Sequence, residues 1–268
     1  MDKKTLNSMF ENLLHIGNKA NHWNPKMKEY IYWSTNGVHV INLIKTVSQI
    51  EAVKSELAEL AKQGKKVLFV STKLQAREAF AKLAVETNNY YVNEKWVPGL
   101  LTNLKTMRKR ISTYISLIKE STSGALDVLP KKEKATKLLE LEKLDRAFKG
   151  LKEMKKLPDV IFVVDAAYEI QAVKEANSLN LPVYAMASTN SNPDLLTNLI
   201  PANTNSIKSI EFIANELKSV VKSSGTPSGN KGNFKKFEQK KSTTKKVEKK
   251  APAKKTEVKK EETKKEEK

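Results

Sequence analysis

Unbroken apolar runs mark the strands of this chain, and the clearest two lie between residues 158 and 209. Val160–Val164 and Val183–Ala187 are five-residue runs without polar alternation, a pattern typical of strands covered on both faces in a parallel sheet. The segment between them repeats its apolar residues at helical spacing, and Asn180 before Pro182 predicts where that helix ends. These residues predict a strand–helix–strand unit with parallel strands.

The same alternation precedes the middle of the chain. Residues 37–43 and 67–70 are predicted strands, and an amphipathic helix lies between them. Thr72 and Gln75 have the spacing of a capping box, which predicts the start of the next helix. A short first helix is predicted to end at Gly17. The pattern is that of an α/β fold with helices on both faces of a parallel sheet.

Two helical stripes of apolar residues interrupt this alternation. One stripe runs from Leu104 to Ile118 and the other from Leu138 to Leu151, with Gly124 as a breaker between them. Two long helices joined by a turn predict an antiparallel coiled-coil hairpin. We interpret this hairpin as an insertion with an apolar seam of its own.

The patterns divide the chain into four segments. Residues 1–98 are the first part of the α/β domain with the N-terminal helix and a basic loop, and residues 99–155 are the hairpin. Residues 156–222 are the second part of the domain. Residues 223–268 contain sixteen Lys and seven Glu but few apolar side chains, which predicts a disordered tail because little surface can be buried to offset the entropy of ordering.

Charge and cysteine content narrow the function classes. The chain has 49 Lys and Arg residues and 30 acidic residues, which gives a net charge of +19. The tail contributes +9 of this net charge. The remaining chain is basic in its own right, which favours a polyanion partner, most often nucleic acid; the alternative is a protein that is merely basic and soluble.

The absence of Cys excludes disulfides and thiolate metal sites. With no apolar run of the roughly 18 residues that span a bilayer and no signal-peptide pattern, we expect a cytoplasmic protein without a membrane partner.

The stretch from residue 14 to residue 37 combines basic and aromatic side chains. Its sequence is LHIGNKANHWNPKMKEYIYWSTNG. Lys can neutralise phosphates while aromatic rings meet exposed bases, which predicts an RNA-contacting loop. The alternative is a loop that its own aromatic residues hold against the domain, and both interpretations can apply at once.

Signals for catalysis are weak. The phosphate-binding fingerprints G-x-G-x-x-G and G-x-x-x-x-G-K-[ST] are absent. We interpret His15, His22 and His39, which lack the spacing of metalloprotease ligands, as structural or RNA-facing. Asp165 and Glu169 follow a strand at the edge where α/β sheets bind ligands. The runner-up hypothesis is therefore an α/β enzyme that acts on a nucleotide or a phosphorylated small molecule near Asp165.

Five stretches, in this order and spacing, are similar to motifs of the small-subunit ribosomal protein S two (S2) family. They are HWNPKMKEYIYWSTNGVHVINLIKT (22–46), KVLFVSTKLQAREA (66–79), YYVNEKWVPGLLTN (90–103), KLPDVIFVVD (156–165) and KEANSLNLPVYAMASTNSNPDLLTNLIPAN (174–203). The likeness extends over about residues 6–220 and leaves out the tail.

This resemblance implies a Rossmann-like or flavodoxin-like domain with a protruding coiled-coil hairpin. It implies a structural role in translation, without catalysis or a cofactor, in the small ribosomal subunit between head and body. The implied partners are small-subunit rRNA and the neighbouring proteins S three, S five and S eight. Many bacterial members also help to dock protein S one.

Some positions depart from the family pattern. The departures are Asn18, Pro98, Tyr168, Ser188 and Thr204. Several of them replace His or Asp side chains near the crevice at the strand ends. We therefore carry over no metal site, and these departures argue against the docking of S one.

The predicted rRNA contacts are basic or aromatic residues of the first loop, of the segment after the strand at residues 67–70, and of the base of the hairpin. They are Lys19, His22, Trp23, Lys26, Lys28, Arg77, Lys95, Lys105, Arg108, Lys109 and Arg110. Most are expected to meet phosphates rather than bases.

Overall fold

The structure, a computed structural model, describes residues 3–221. These residues contain seven α-helices and eight strands. The predicted tail lies outside them. In chain order they are α1 (Lys3–Glu11), β1 (Ile16–Lys19), β2 (Ile31–Thr35), β3 (Val38–Ile41), α2 (Leu43–Lys62), β4 (Val67–Val70), α3 (Arg77–Glu86), β5 (Tyr90–Val92), α4 (Leu104–Thr122), α5 (Lys131–Phe148), β6 (Val160–Val164), α6 (Ile170–Ser178), β7 (Val183–Ala187), β8 (Asn198–Pro201) and α7 (Ile207–Val221). Short 3₁₀ helices lie at Pro25–Tyr30, Ala125–Val128, Lys149–Leu151 and Pro193–Leu195.

Five parallel strands form the main sheet, in the order β5-β4-β6-β7-β8. Phe162 of β6 lies opposite Phe69 of β4 on one side and Tyr184 of β7 on the other. The helix between β6 and β7 ends where Asn180 adopts a positive φ of 53°. The predicted strand–helix–strand unit and the parallel sheet are confirmed.

Two apolar clusters cover the two faces of this sheet. Successive strand residues point to opposite faces, and Val160, Phe162 and Val164 lie in one cluster while Ile161 and Val163 lie in the other. Helices α2, α3 and α7 pack in the first cluster, and α6 with the base of α4 packs in the second. Full burial of side chains of this size stabilises the fold by about 1.5–3 kcal/mol each, so the unbroken apolar runs are explained by two-sided packing.

A separate three-stranded antiparallel sheet replaces the predicted first strand of the parallel sheet. Its order is β1-β3-β2, so residues 38–41 pair with the loop-rich segment rather than with β4. Asn36 and Gly37 have φ values of 50° and 74°, the two positive angles of a type I′ hairpin turn. Asn-Gly between β-branched and aromatic residues is a strong hairpin signal, and it identifies β2 and β3.

Two predicted helix boundaries are wrong. Helix α1 ends at Glu11, and Leu13 takes the positive φ of 61°, whereas Gly17 lies within β1. A Cβ atom at Gly17 would lie 2.8 Å from the Thr189 side chain, so this glycine permits a close approach of two segments. Thr72 does not cap a helix, because α3 begins at Arg77 without a side-chain cap.

Helices α4 and α5 form an antiparallel hairpin. Tyr114 donates a hydrogen bond to Asp145. Nearer the tip of the hairpin, the Lys137 ammonium lies 3.0 Å from the Glu120 carboxylate. The base of the hairpin shares the apolar cluster on one face of the sheet, since Ile111 packs there with residues of β4 and β6. Toward the tip, Leu138 is 41% exposed although the sequence predicts it to point inward. The apolar seam is therefore continuous with the sheet's core at the base, and toward the tip Leu117 and Leu126 are buried although Leu138 is not.

Replacing Ile111 with Asp should destabilise the whole fold rather than the hairpin alone. Ile111 is 4% exposed, and a buried unpaired charge in a shared core should lower the free energy of unfolding by at least ~3 kcal/mol. Chemical denaturation followed by circular dichroism and by tryptophan fluorescence tests this. Leu139→Asp is the control, because Leu139 is 57% exposed. A separate hairpin transition in Ile111→Asp, with the remaining transition unchanged, would show that the two parts are independent.

Candidate nucleic-acid interface

The first loop is fixed to the end of β7 while its charged side chains stay exposed. The Asn24 backbone N–H donates to the Thr189 carbonyl at 2.8 Å, and the Asn24 side chain accepts the Lys26 N–H at 3.0 Å. Met27 of the 3₁₀ helix is fully buried. We call five residues the first-loop surface, and all five are exposed. They are Lys19, His22, Trp23, Lys26 and Lys28.

Both interpretations of the loop describe part of this surface. The Trp23 ring lies tilted against His39, with 5.3 Å between centroids, and is 37% exposed. Lys26 forms an ion pair with Asp194, whereas Lys28 has no acidic partner within residues 3–221. The loop is therefore held by its own aromatic and apolar residues, and it also presents basic groups to solvent.

A second basic surface lies where the hairpin begins. We call it the hairpin-base surface, and its residues are Lys95, Lys105, Arg108, Lys109 and Arg110, all of them exposed. In the described part of the chain none of these five forms an ion pair with an acidic side chain. Part of this surface lines an open groove of about 510 Å³. Unpaired exposed cations in a cluster produce a positive potential that attracts polyanions.

Glu175 of α6 fixes the segment that leads into α4. Its carboxylate accepts hydrogen bonds from the Trp96 indole at 3.1 Å, the Gly99 N–H at 2.8 Å and the Leu101 N–H at 3.1 Å. Charge-assisted hydrogen bonds of this kind are stronger than neutral ones. The start of α4 is therefore held in a defined position, and the basic side chains of its first turns are presented by a rigid element.

Arg77 differs from the other predicted contacts. Its guanidinium donates to the carbonyl oxygens of Thr72 at 3.0 Å and Glu94 at 3.3 Å. These bonds link the loop after β4 to the loop after β5. Arg77 therefore joins two strand ends, and its bond to the Glu94 carbonyl places it next to Lys95 of the hairpin-base surface.

The crevice at the strand ends is occupied by the chain's own polar side chains. Asp165, which is 5% exposed and has a φ of 67°, accepts from the Lys73 ammonium at 2.7 Å and from the Thr204 hydroxyl at 2.9 Å. The same ammonium lies 2.6 Å from the Asn205 amide oxygen. This network joins the segments that follow β4, β6 and β8. A carboxylate that is already paired in this way is poorly suited to act as a free general base.

Glu169 has a raised pKa in the same region. Its carboxylate accepts both the N–H of Thr72 at 2.8 Å and the Thr72 hydroxyl at 2.5 Å. Burial raises the pKa of Glu169, and the nearby Asp165 charge raises it further, although the two bonds from Thr72 act in the opposite direction. The Thr72 N–H, which a capping box would direct to the Gln75 side chain, is therefore bound to Glu169 instead.

The cavity next to this network lacks acid–base groups. It has a volume of about 250 Å³ and is lined by Asn24, Ala166, Ala167, Ile170, Val173, Asn190, Asn192, Leu195 and Leu196. Within residues 3–221 there is no cluster of three or more His, Cys, Asp or Glu side chains that could hold a metal ion. The helices of those residues also lack the length and hydropathy of a bilayer span. The lining of this cavity therefore offers amide and apolar side chains, while the carboxylates of the crevice are bound by Thr72, Lys73 and Thr204.

Residues 9–224 match the family described as Ribosomal protein S2. The chain is 42% identical over 222 residues to small ribosomal subunit protein uS2 of Mannheimia succiniciproducens, covering 83% of this chain and 92% of the relative. It is 44% identical over 202 residues to uS2 of Vibrio cholerae, covering 75% and 84% of the two chains. With uS2 of Fusobacterium nucleatum the identity is 42% over 222 residues, covering 82% and 90%.

The chain belongs to the ribosomal protein S2 family. Members of this family are structural constituents of the small ribosomal subunit and not enzymes. The family resemblance is confirmed, and the runner-up hypothesis of an enzyme around Asp165 is wrong. This agrees with the geometry of the crevice, where the carboxylate is engaged by Lys73 and Thr204.

Two exposed aromatic residues were missed among the sequence-based candidates of this S2 family member. Tyr32 and Trp33 of β2 are 75% and 65% exposed, more than Trp23. Their exposure follows from the hairpin that the Asn36-Gly37 turn forms. That turn was the signal available in the sequence, because it places β2 at the edge of a small sheet.

Replacing Glu169 with Gln should change how stability depends on pH. The raised pKa means that the native state keeps the Glu169 proton to a higher pH than the unfolded chain does. Its contribution to stability is therefore full below the unfolded value of 4.5 and is lost as pH rises through the folded pKa. A Gln side chain can accept both Thr72 bonds without a charge, so this loss should disappear in the variant.

The measurement is the free energy of unfolding by chemical denaturation at a series of pH values above 4.5. Glu78→Gln is the control, since the Glu78 side chain is 89% exposed, and its profile should follow that of the parent. Parallel profiles for Glu169→Gln and the parent would contradict the assignment of a buried, raised pKa to Glu169.

Proposed function

We propose that this S2 family member binds small-subunit rRNA through the first-loop surface and the hairpin-base surface. The observation that supports the proposal most is the group of five exposed cations around the start of α4, which have no acidic partners in the described residues. Each phosphate that such cations neutralise releases condensed counterions, which is the main source of affinity for a nucleic-acid backbone.

The two surfaces contribute differently in this proposal. The hairpin-base surface consists of Lys and Arg alone, so we assign it to phosphates. The first-loop surface also has Trp23 and His22, whose rings can meet exposed bases. Lys26 must exchange its ion pair with Asp194 for a phosphate, which reduces its net contribution. Arg77 acts on binding by holding two loops in position rather than by contact.

We further propose the neighbours that the family resemblance implies. These are a location between head and body of the small subunit and contacts with proteins S three, S five and S eight. The resemblance also implies protein S one, but three departures from the family pattern argue against its docking in this chain. Asn18, Ser188 and Thr204 carry no charge, and the ammonium of Lys73 is the cation beside Asp165.

Replacing Lys28, Arg108 and Arg110 with Ala should weaken incorporation into small subunits that lack this protein. Losing up to three phosphate contacts should also flatten the plot of log affinity against log salt by roughly 2 units. Folding should change little, because exposed charges usually contribute within about 0.5 kcal/mol each. Occupancy of the subunits, measured by sedimentation at several salt concentrations, tests the prediction.

The matched control removes three exposed positive charges elsewhere, at Lys62, Lys65 and Lys82. It should leave both the salt slope and the occupancy as in the parent. Equal slopes for the two triple variants would mean that the charges act only through net charge, and our choice of RNA-binding residues would be wrong. Failure of the parent itself to occupy the subunits would contradict the proposed function as a whole.

A further inference from the structure

The antiparallel sheet has two faces, of which one packs against the rest of the domain and the other does not. Residues opposite each other on paired strands share a face. Trp33 and Ile16 both lie opposite Val40, and Thr35 and Lys19 both lie opposite Val38. We call the face with these residues the outer face.

The opposite face is the packed one. His39 and Ile41, which alternate with Val38 and Val40 along β3, are 9% and 2% exposed. Gly17 points to the same side, because a Cβ atom there would meet Thr189 at the end of β7. The outer face is therefore directed away from the parallel sheet.

The outer face is apolar and aromatic, yet it is covered only in part. Ile16, Val38 and Val40 are half-buried, and Trp33 is 65% exposed. Tyr32, the extra residue at an irregularity in the β2–β3 pairing, is 75% exposed beside it. A contiguous exposed apolar surface with large aromatic rings is typical of an interaction site.

Charge indicates which kind of partner this face takes. The three strands contain no acidic residue, and Lys19 is the cation on the outer face. The nearest acid in sequence, Glu29, is paired with Lys45 at 2.5 Å. The face also continues into the first-loop surface, which shares Lys19 and leads directly into β2 through the 3₁₀ helix Pro25–Tyr30. A sheet face with exposed aromatic rings beside a basic group is suited to stacking unpaired bases, as in sheet-based RNA-binding modules.

We propose that the outer face is a stacking platform for unpaired rRNA bases, with Trp33 as the main stacking residue and Lys19 bound to an adjacent phosphate. The proposal rests on the proposed function and adds to it a site that reads bases rather than the backbone. Stacking is largely insensitive to salt, whereas phosphate contacts are not. The two kinds of contact can therefore be separated by experiment.

The test compares Trp33→Leu with Trp33→Phe in the full chain. Binding to small subunits that lack this protein is measured as a function of salt. Trp33→Leu keeps an apolar side chain but removes the ring, so affinity should fall by about fivefold or more at an unchanged salt slope. Trp33→Phe should retain most of the affinity. Tyr168→Leu is the control, because Tyr168 is 62% exposed but lies after β6, outside the antiparallel sheet.

A photo-crosslinking amino acid at position 33 then identifies what lies against the face. Crosslinking to rRNA is the expected result. A crosslink to a ribosomal protein would overturn the proposal, as would normal affinity of Trp33→Leu or a flattened salt slope in that variant. In each of these cases the parent still binds, so the proposed function survives; loss of binding by the parent would contradict both.

Discussion

Burial of the central strands on both faces is the constraint on which the rest of the structure depends. Every residue of β6 and of β7 is buried, and alternate side chains of each strand enter different apolar clusters. A polar group in these strands needs a partner to offset its lost hydration, as the Tyr184 hydroxyl has in the Glu56 carboxylate at 2.5 Å. Helices are therefore required on both sides, and the base of the α4–α5 hairpin supplies part of one side. The hairpin starts as a part of the core and becomes a separate projection only toward its tip.

The ends of these strands then fix the positions of the polar and basic segments. Lys73, Asp165 and Thr204 connect three strand-end segments, and Arg77 connects a further pair. The first loop is bound to Thr189 beyond β7. The edge that binds ligands in many α/β enzymes is used here to hold loops in place. The basic residues proposed to meet rRNA lie on segments that this edge and Glu175 position.

The periodic elements could be predicted from the sequence, because periodicity reports burial directly. The runs at β6 and β7 and the left-handed end at Asn180 are examples. Interactions between distant residues could not be predicted in this way. Thr72 and Gln75 had the spacing of a capping box, but the Thr72 N–H that this box would use is bound to Glu169, 97 positions away. The contact of Arg77 with RNA stays a prediction, and only the folded chain shows the two carbonyl groups to which Arg77 donates.

The central claim is that exposed basic and aromatic residues hold this protein on the small ribosomal subunit. The most direct measurement is sedimentation of a cell extract through a sucrose gradient, with detection of the native protein in each fraction. We expect the protein in the small-subunit fractions together with rRNA, and we expect its release by high salt before the subunits themselves dissociate. Recovery at the top of the gradient at low salt, free of rRNA, would contradict the account.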